Sequence, residues 1–358
     1  MRTRLIVALT MSFVDAHLAV CQDPHPTITV GTATATRGQT GYGELKVAAG
    51  VDSGYVISIA VIHGAKPGKT VAFVAGAHGT EYASTVALTR LIARIDATRL
   101  TGTVIVVPLV NVASFEQMTV HVNPVDRKGM NNGFPGNKDG TQSQRAVAVI
   151  AENVVSPADI VIDLHGGDLD EDLRPYTYWT RIGDDAKDAE MKAMALAFGI
   201  DHIIVRDANP NTPDRTLGGY SLDQGKLSIV AEAGRIGQVL PVDVDALVNG
   251  SLNVLAHFKM IARVVKPVAH PSYITAGTRV RATTPAMWYP LVRRDMKVTQ
   301  GQVVGYTTDY VGRRAVEIRS PVAGLVTFIR TVPSAPRNAT LVNVSEYVTL
   351  KPWAKPGQ

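Results

Sequence analysis

Apolar residues in the middle of the chain form short runs that alternate with longer stretches of helical spacing. The short runs are rich in β-branched residues and predict strands that are covered on both faces. These runs are YVISIAVIHG (55–64), TVAFVAG (70–76), GTVIVVPLVN (102–111), ADIVIDLHGG (158–167) and LSIVAEAG (227–234). The helical stretches cover 81–95, 141–155, 189–199 and 242–265. This alternation predicts an α/β fold with a mixed, mostly parallel sheet flanked by helices.

The pattern changes after Pro267 and Pro271. Beyond them, short β-like runs are separated by Gly and Pro, and no helical period is visible. We therefore expect an α/β domain over residues 22–268 and a smaller all-β domain over residues 269–358.

The first residues resemble a secretory leader. Arg2 and Arg4 precede an apolar run at 5–14, which is too short to span a bilayer but suits a signal peptide. We expect a signal peptide over residues 1–21 and export to the periplasm or beyond, with Cys21 as a candidate site of lipid anchoring. The alternative is an ordinary N-terminal strand or helix of a cytoplasmic protein. No later segment predicts an integral membrane span.

Composition narrows the range of partners and chemistries. Hydrophobic residues make up 46% of the 358 positions and charged residues 19%, which favours a globular protein. The net charge of +5 is spread along the chain without a basic run, which argues against a nucleic-acid partner. With the single cysteine Cys21, neither an internal disulfide nor a cysteine-based metal site can form. A bound metal would need His, Asp or Glu.

Three predicted strands end in polar residues of the types that bind metals. One delivers His78 and Glu81, the second delivers His165 two residues after Asp163, and the third delivers Glu232. Because parallel strands open on one edge of a sheet, we expect these side chains to converge. Two histidines and one carboxylate are a common ligand set for a catalytic zinc ion, with a fourth position left for water. Glu232 would then serve as the base toward that water.

Each of these residues also has a plainer interpretation. Glu81 could serve only the first turn of a helix, where the helix dipole favours an acid. His165 could bond a neighbouring carbonyl group, and Glu232 could pair with Arg235. The occurrence of all of them at the ends of strands of one sheet favours a site for one zinc ion per chain.

At this point the motifs resemble a known family, from about residue 50 to the end of the chain. GAHGTE (76–81), DLHGGD (163–168) and AEAG (231–234) are similar in order and spacing to the succinylglutamate desuccinylase and aspartoacylase branch of the zinc carboxypeptidase (M14-like) superfamily. The segment PLVNVASFEQMTVHVNPVDRKGMNNGFPG (108–136) strengthens the match. GQVVG (301–305) and SPVAGLV (320–326) resemble the β-sandwich hybrid domain of this branch.

The resemblance implies roles for individual residues. His78, Glu81 and His165 match the zinc ligands of the family, and Glu232 matches its general base. Asp163 matches a residue that orients the third ligand from behind it. The resemblance also implies a small-molecule substrate.

The chain departs from the family where the substrate carboxylate is bound. Asn131 matches the Asn of an Asn-Arg pair, but Asn132 replaces the Arg. A guanidinium group grips a carboxylate best, so another arginine is needed for this task. Arg127 is one candidate, with a solvated loop charge as its alternative. Arg174 is the other, with a salt bridge to Asp168, Glu171 or Asp172 as its alternative.

We therefore expect a zinc-dependent hydrolase that removes the acyl group from a small N-acyl amino acid or amine, at carbon-nitrogen bonds other than peptide bonds. One alternative is a metallocarboxypeptidase acting on peptides or cell-wall stems. Another is a binding protein without catalysis on the same scaffold.

Overall fold

The structure is a computed structural model that describes residues 25–209 and 211–351. The predicted signal peptide at 1–21, with Cys21, lies outside these residues, so export and lipid anchoring stay predictions. Among the helices of the described part, none has both the length and the apolar character needed to cross a membrane.

Strands and helices alternate over the first three quarters of the chain. The strands are β1 (Thr27–Val30), β2 (Ala33–Thr36), β3 (Gln39–Val47), β4 (Tyr55–His63), β5 (Lys66–Ala75), β6 (Thr101–Val107), β7 (Ile160–His165), β8 (Glu171–Leu173), β9 (Tyr176–Arg181), β10 (His202–Asp207), β11 (Leu227–Glu232) and β12 (Ser272–Ile274). The helices are α1 (Tyr82–Arg94), α2 (Val112–Gln117), α3 (Gln142–Ile150), α4 (Asp185–Phe198), α5 (Leu217–Asp223) and α6 (Pro241–His257). A π-helical turn, Ala151–Val155, continues α3.

The main sheet has the strand order β12-β10-β9-β11-β7-β5-β6-β4-β3. Strands β11, β7, β5 and β6 are successive parallel neighbours, and β12, β10 and β9 form a second parallel group. Antiparallel pairing joins β9 to β11 and adds β4 and β3 at the far edge. The predicted mixed α/β sheet is thereby confirmed.

Both faces of this sheet are buried, as the near-continuous apolar runs predict. Along β5, Phe73 packs into a core shared with α1, α4 and α6, while Val74 points to the opposite core beneath α3. Phe73 has no exposed surface, so truncating it to Ala would cost about 3–5 kcal/mol of stability. The two packed faces hold the central strands, and therefore their ends, in fixed positions.

Two helix ends illustrate what the sequence pattern captures and what it misses. Helix α4 ends where predicted, because Gly199 adopts a left-handed conformation with φ of 100°. Helix α6 ends at His257, earlier than the predicted 265. Lys259 takes a positive φ of 57°, and the carbonyl of Met260 accepts a hydrogen bond from the amide of Thr101 at the start of β6. This tertiary bond is not visible in apolar periodicity.

The C-terminal part consists of antiparallel strands around the buried Trp288. They are β13 (Thr278–Arg281), β14 (Ala286–Pro290), β15 (Lys297–Val298), β16 (Val303–Thr308), β17 (Val316–Arg319), β18 (Gly324–Arg330), β19 (Ser334–Ala335) and β20 (Thr340–Ser345). One sheet has the order β13-β20-β18-β15, and the other has the order β17-β16-β14-β19.

Each of the two parts of the chain contributes one strand to a sheet of the other part. Strand β8, from the α/β part, pairs with β18 of the C-terminal sheet, and Leu173 lies opposite Phe328. Strand β12, which follows the predicted boundary at 268, pairs with β10 of the main sheet. The C-terminal strands are therefore held against the edge of the sheet where the candidate site lies.

Candidate active site

The three strand ends that carry the predicted site residues are adjacent in the sheet. His78 and Glu81 lie in the turn between β5 and α1, His165 ends β7, and Glu232 ends β11. In the parallel register Glu232 lies directly opposite His165. A Cβ atom at the following Gly166 would lie 2.7 Å from the carbonyl oxygen of Ala233, so the close approach of β7 and β11 favours glycine there.

The side chains of His78, Glu81 and His165 converge. One carboxylate oxygen of Glu81 lies 2.6 Å from Nδ1 of His78, and the other lies 2.9 Å from Nδ1 of His165. One ligand atom from each residue lies within 4.8 Å of the other two. The set has the two imidazoles and one carboxylate that suit a catalytic zinc ion, so the residues present fit this metal.

Asp163 contacts the ring nitrogen of His165 that does not face Glu81. A carboxylate oxygen of Asp163 lies 3.2 Å from Nε2 of His165, on the side of the ring away from Glu81. Burial would lower the pKa of His165, but Asp163 and Glu81 together raise it well above its ordinary value. Burial alone would raise the pKa of Glu81, but the interactions with His78 and His165 outweigh the effect of burial and lower that pKa to about 2. The cluster thus keeps Glu81 ionised.

Glu232 lines the same cavity without being part of this ligand set. Burial raises its pKa to about 8, His165 opposes the increase, and the carboxylates of Glu81 and Glu171 add to it. A partly buried acid with a pKa near neutrality can both accept and donate a proton in turnover.

The cavity above the strand ends has a volume of about 560 Å³, a size suited to a small ligand. Asn131 and Asn132 line it from the α/β part, together with Tyr176 and Tyr178 of β9. The C-terminal strands close another side. Their lining residues include Arg279, Phe328, Arg330 and Asn343.

A second polar cluster borders the cavity at His121. Its Nδ1 lies 3.1 Å from Asp168, and its Nε2 lies 3.4 Å from Asp170 and 3.7 Å from Glu171. Burial would lower the pKa of His121, but the carboxylates raise it to about 10. The ring also meets that of His78 edge to face, with 6.0 Å between centroids. Sequence reasoning missed His121 because it lies on a loop, at a positive φ of 62°.

The two arginines proposed from the sequence as carboxylate ligands lie elsewhere. Arg127 is exposed on a loop, and Arg174 pairs with Asp295 at 2.5 Å and with Asp201 at 3.2 Å. Neither is among the residues that line the cavity. Arg174 does form salt bridges, but with other partners than the nearby acids expected from the sequence. Asp295 lies far from Arg174 in the chain, and only the folded structure brings its loop close.

Other arginines do reach the cavity: Arg206 on β10, Arg279 on β13 and Arg330 on β18. Sequence reasoning did not find them. The sequence predicted site residues only at the ends of β5, β7 and β11. Arg206 reaches the cavity because β9 lies between β10 and β11 and pairs with β11 in the antiparallel direction. Arg279 and Arg330 reach it through the docking of the C-terminal strands.

The fold and the site together define an α/β protein with a candidate two-histidine, one-carboxylate metal centre beside a half-buried glutamate. The chain belongs to the succinylglutamate desuccinylase/aspartoacylase family, since the model of that family's catalytic domain matches residues 67–258.

Individual relatives agree with this assignment. The chain is 27% identical over 293 residues to the N-alpha-acetyl-L-2,4-diaminobutyric acid deacetylase of Halomonas elongata, a match that covers 78% of this chain and 83% of the relative. A crystal structure of a succinylglutamate desuccinylase/aspartoacylase from Rhodobacter sphaeroides superposes with a TM-score of 0.76 at 26% identity, covering 87% of this chain and 95% of the other.

A succinylglutamate desuccinylase from a Silicibacter species shares the fold, with a TM-score of 0.79 at 21% identity over 90% of this chain and 99% of the other. The family and the deacetylase relative support deacylation at an amide bond as the class of reaction.

Proposed function

We propose that the protein is a zinc-dependent hydrolase that deacylates a small N-acyl amino acid or amine. The observation that carries this proposal is the convergence of His78, Glu81 and His165 on one point, with Glu232 lining the same cavity. The deacetylase relative makes Nα-acetyl-2,4-diaminobutyrate the first substrate to test.

His78, Glu81 and His165 would hold the ion, and Asp163 would orient the ring of His165. When bound, zinc supplies Lewis-acid catalysis and a positive charge that lowers the pKa of nearby acids. Glu81 and His165 are buried, and Glu81 is hydrogen-bonded to both histidines, so the protein donors are in position before substrate arrives and little reorganisation is needed during the reaction.

Glu232 would carry the proton. Its carboxylate, at the end of β11, would accept a proton from the water that attacks the acyl carbon and return it to the nitrogen of the departing amine. The carboxamides of Asn131 and Asn132 face the same cavity and can donate hydrogen bonds to the substrate. The C-terminal strands cover one side and limit the access of bulk water.

The test is turnover of a substrate panel by zinc-loaded protein. The panel should contain Nα-acetyl-2,4-diaminobutyrate, other N-acetyl amino acids and dipeptides, with release of the free amine as the readout. We expect hydrolysis of at least one N-acyl compound. Glu232→Gln should retain zinc and lose about 10²–10⁴-fold in kcat, whereas the exposed Glu152→Gln should match the wild type.

Other outcomes would point elsewhere. Cleavage of dipeptides alone would favour a carboxypeptidase, and binding without turnover would favour a binding protein. Wild-type turnover by Glu232→Gln would remove Glu232 from the role of base.

A further inference from the structure

Arg206 lies on the cavity face of the sheet, at a distance from the candidate metal ligands. In the strand register, Val230 and Glu232 of β11 face Tyr178 and Tyr176 of β9, and Arg206 of β10 faces Thr180. Since side chains on one face recur every second residue, Arg206, Tyr178 and Glu232 project from the same face.

The guanidinium of Arg206 rests on the aromatic ring of Tyr178. Its central carbon lies 4.2 Å from the ring centroid, within the range of a cation–π contact. Tyr178 in turn meets Tyr176 edge to face, with 5.3 Å between centroids. The aromatic pair fixes the guanidinium against one wall of the cavity and leaves its N–H groups to face other partners.

Arg279, an exposed residue, borders the same cavity from the C-terminal part. It lies on β13 of the C-terminal part and lines the cavity together with Arg206 and Tyr178. Burial raises the pKa of Tyr178 and Glu232 adds to the increase, while Arg206 and Arg279 both oppose it. Both guanidiniums therefore act on one end of the cavity.

Neither of these arginines has an acidic partner within ion-pairing distance among residues 25–209 and 211–351. Three other arginines near the cavity or the sheet edge do have acidic partners. Arg330 pairs with Asp170, Arg174 pairs with Asp201 and Asp295, and Arg181 pairs with Asp207. Among the described residues, Arg206 and Arg279 thus give the cavity two guanidinium groups without an ion-paired carboxylate, and Glu81, Asp163 and Glu232 line the same cavity around the metal ligands.

We propose that Arg206 and Arg279 form the receptor for an anionic group of the substrate, so that the substrate is an N-acyl amino acid with a free carboxylate rather than a neutral N-acyl amine. This inference rests on the proposed function and assigns the polarity of its substrate. The carboxylate of the substrate would then be bound by arginines at other positions than 132, where this chain has Asn. Guanidinium groups suit this task because their paired N–H donors match the two oxygens of a carboxylate.

The geometry sets the orientation of the ligand. Neighbouring strands lie about 4.8 Å apart, so β10 lies about 10 Å from β11, a gap that the Arg206 side chain partly spans. A ligand with its amide beside Glu232 would extend its carboxylate over Tyr176 and Tyr178 toward Arg206. The acyl group would then point away from the two arginines.

Binding to zinc-loaded Glu232→Gln protein, measured by titration calorimetry, tests the receptor without need of turnover. The probes are Nα-acetyl-2,4-diaminobutyrate and its primary carboxamide, which differ only at the carboxyl group: the amide is neutral, and an NH2 donor replaces one acceptor oxygen. We expect the acid to bind more tightly. Adding Arg206→Gln should reduce this preference about 10- to 100-fold, and Arg206→Lys should restore part of it because it keeps the charge but not the paired donors.

Arg181→Gln is the matched control, since it removes a guanidinium from the neighbouring strand outside the cavity. It should leave the preference for the acid unchanged. The proposal is overturned if acid and amide bind equally, if neither binds, or if Arg206→Gln leaves the preference intact. Arg206-dependent binding of the acid without hydrolysis by the wild type would instead overturn the proposed function and leave the receptor standing.

Discussion

Oε2 of Glu81 lies 2.9 Å from Nδ1 of His165, joining two residues that are 84 positions apart in the chain. The same oxygen accepts a hydrogen bond from the amide of Gly166 at 3.1 Å. The turn after β5 and the end of β7 are thus fixed to each other through one carboxylate. A metal centre built on them would be preorganised by the fold.

Removing His165 should abolish metal binding. We expect wild-type protein to retain one zinc ion per chain after dialysis, and His165→Ala to lose at least about 100-fold in affinity, because one of three protein ligands is gone. Elemental analysis gives the stoichiometry. His257→Ala removes a half-buried histidine of α6 that pairs with Glu190 of α4, and this variant should keep the ion. Full zinc occupancy in His165→Ala would contradict the site.

Asp163 should act on the metal through His165. Asp163→Asn keeps the size of the side chain but removes the charge that lies 3.2 Å from Nε2 of His165. We expect zinc affinity to fall about 10- to 100-fold, with full occupancy recovered at saturating zinc. Competition with a chelator measures the affinity. The exposed Asp185→Asn should bind zinc as the wild type does, and an unchanged affinity in Asp163→Asn would exclude the orienting role.

Arg145 should be a large contributor to stability. Only 4% of its side chain is exposed, and it lies 2.7 Å from Asp52 while it donates to the carbonyls of Ala48 and Ser53. Arg145→Met would leave Asp52 and these carbonyls without their partner, so we expect a loss of about 3–5 kcal/mol in the free energy of unfolding.

Denaturant titration measures this loss. Arg90→Met is the control, because the Arg90–Asp245 pair is exposed at 4.0 Å and should contribute at most about 1 kcal/mol. Equal effects of the two substitutions would refute the role of Arg145 in holding the 48–53 loop against α3.

Asp126 should stabilise the start of α3 in a pH-dependent way. Burial would raise its pKa, but hydrogen bonds from Thr141, Ser143 and Lys128 outweigh this and lower it. A lowered pKa means that the contribution is complete above the ordinary Asp value of about 3.9 and is lost as the pH falls below it. Asp126→Asn should therefore destabilise the protein by about 1 kcal/mol at pH 7.

The comparison with wild type should be repeated down to acidic pH by denaturant unfolding. The difference between Asp126→Asn and wild type should shrink below about pH 4. The exposed Asp139→Asn, in the same region, should stay within about 0.5 kcal/mol of wild type throughout. A difference that persists unchanged in acid would show that the carboxylate charge is not the cause.

The convergence of His78, Glu81, His165 and Glu232 could be predicted because it depends on local patterns and one general rule. Each lies at the end of a recognisable buried strand or in the turn after it, and the carboxyl ends of parallel strands lie at one edge of the sheet. Their neighbours β5, β7 and β11 in fact lie side by side.

The walls of the cavity could not be predicted in the same way. His121 owes its place to a loop with positive φ, and Arg206 owes its place to a strand that runs opposite to β11. Arg279 arrives with the C-terminal strands. In each case the position depends on contacts between segments distant in sequence, which apolar periodicity does not encode.

The pairing of β8 with β18 has a consequence for the biosynthesis of the protein. Leu173 and Phe328 are opposite neighbours across this pair, yet residues 174–327, about two fifths of the chain, are translated between them. A nascent chain that stops short of Gly324 would already contain all four strand-end residues, but β8 would still present an open edge to other chains. The last strands must therefore be synthesised before the cavity is enclosed, and in the meantime the short, acidic edge of β8 has the length and the charge that disfavour pairing with other chains.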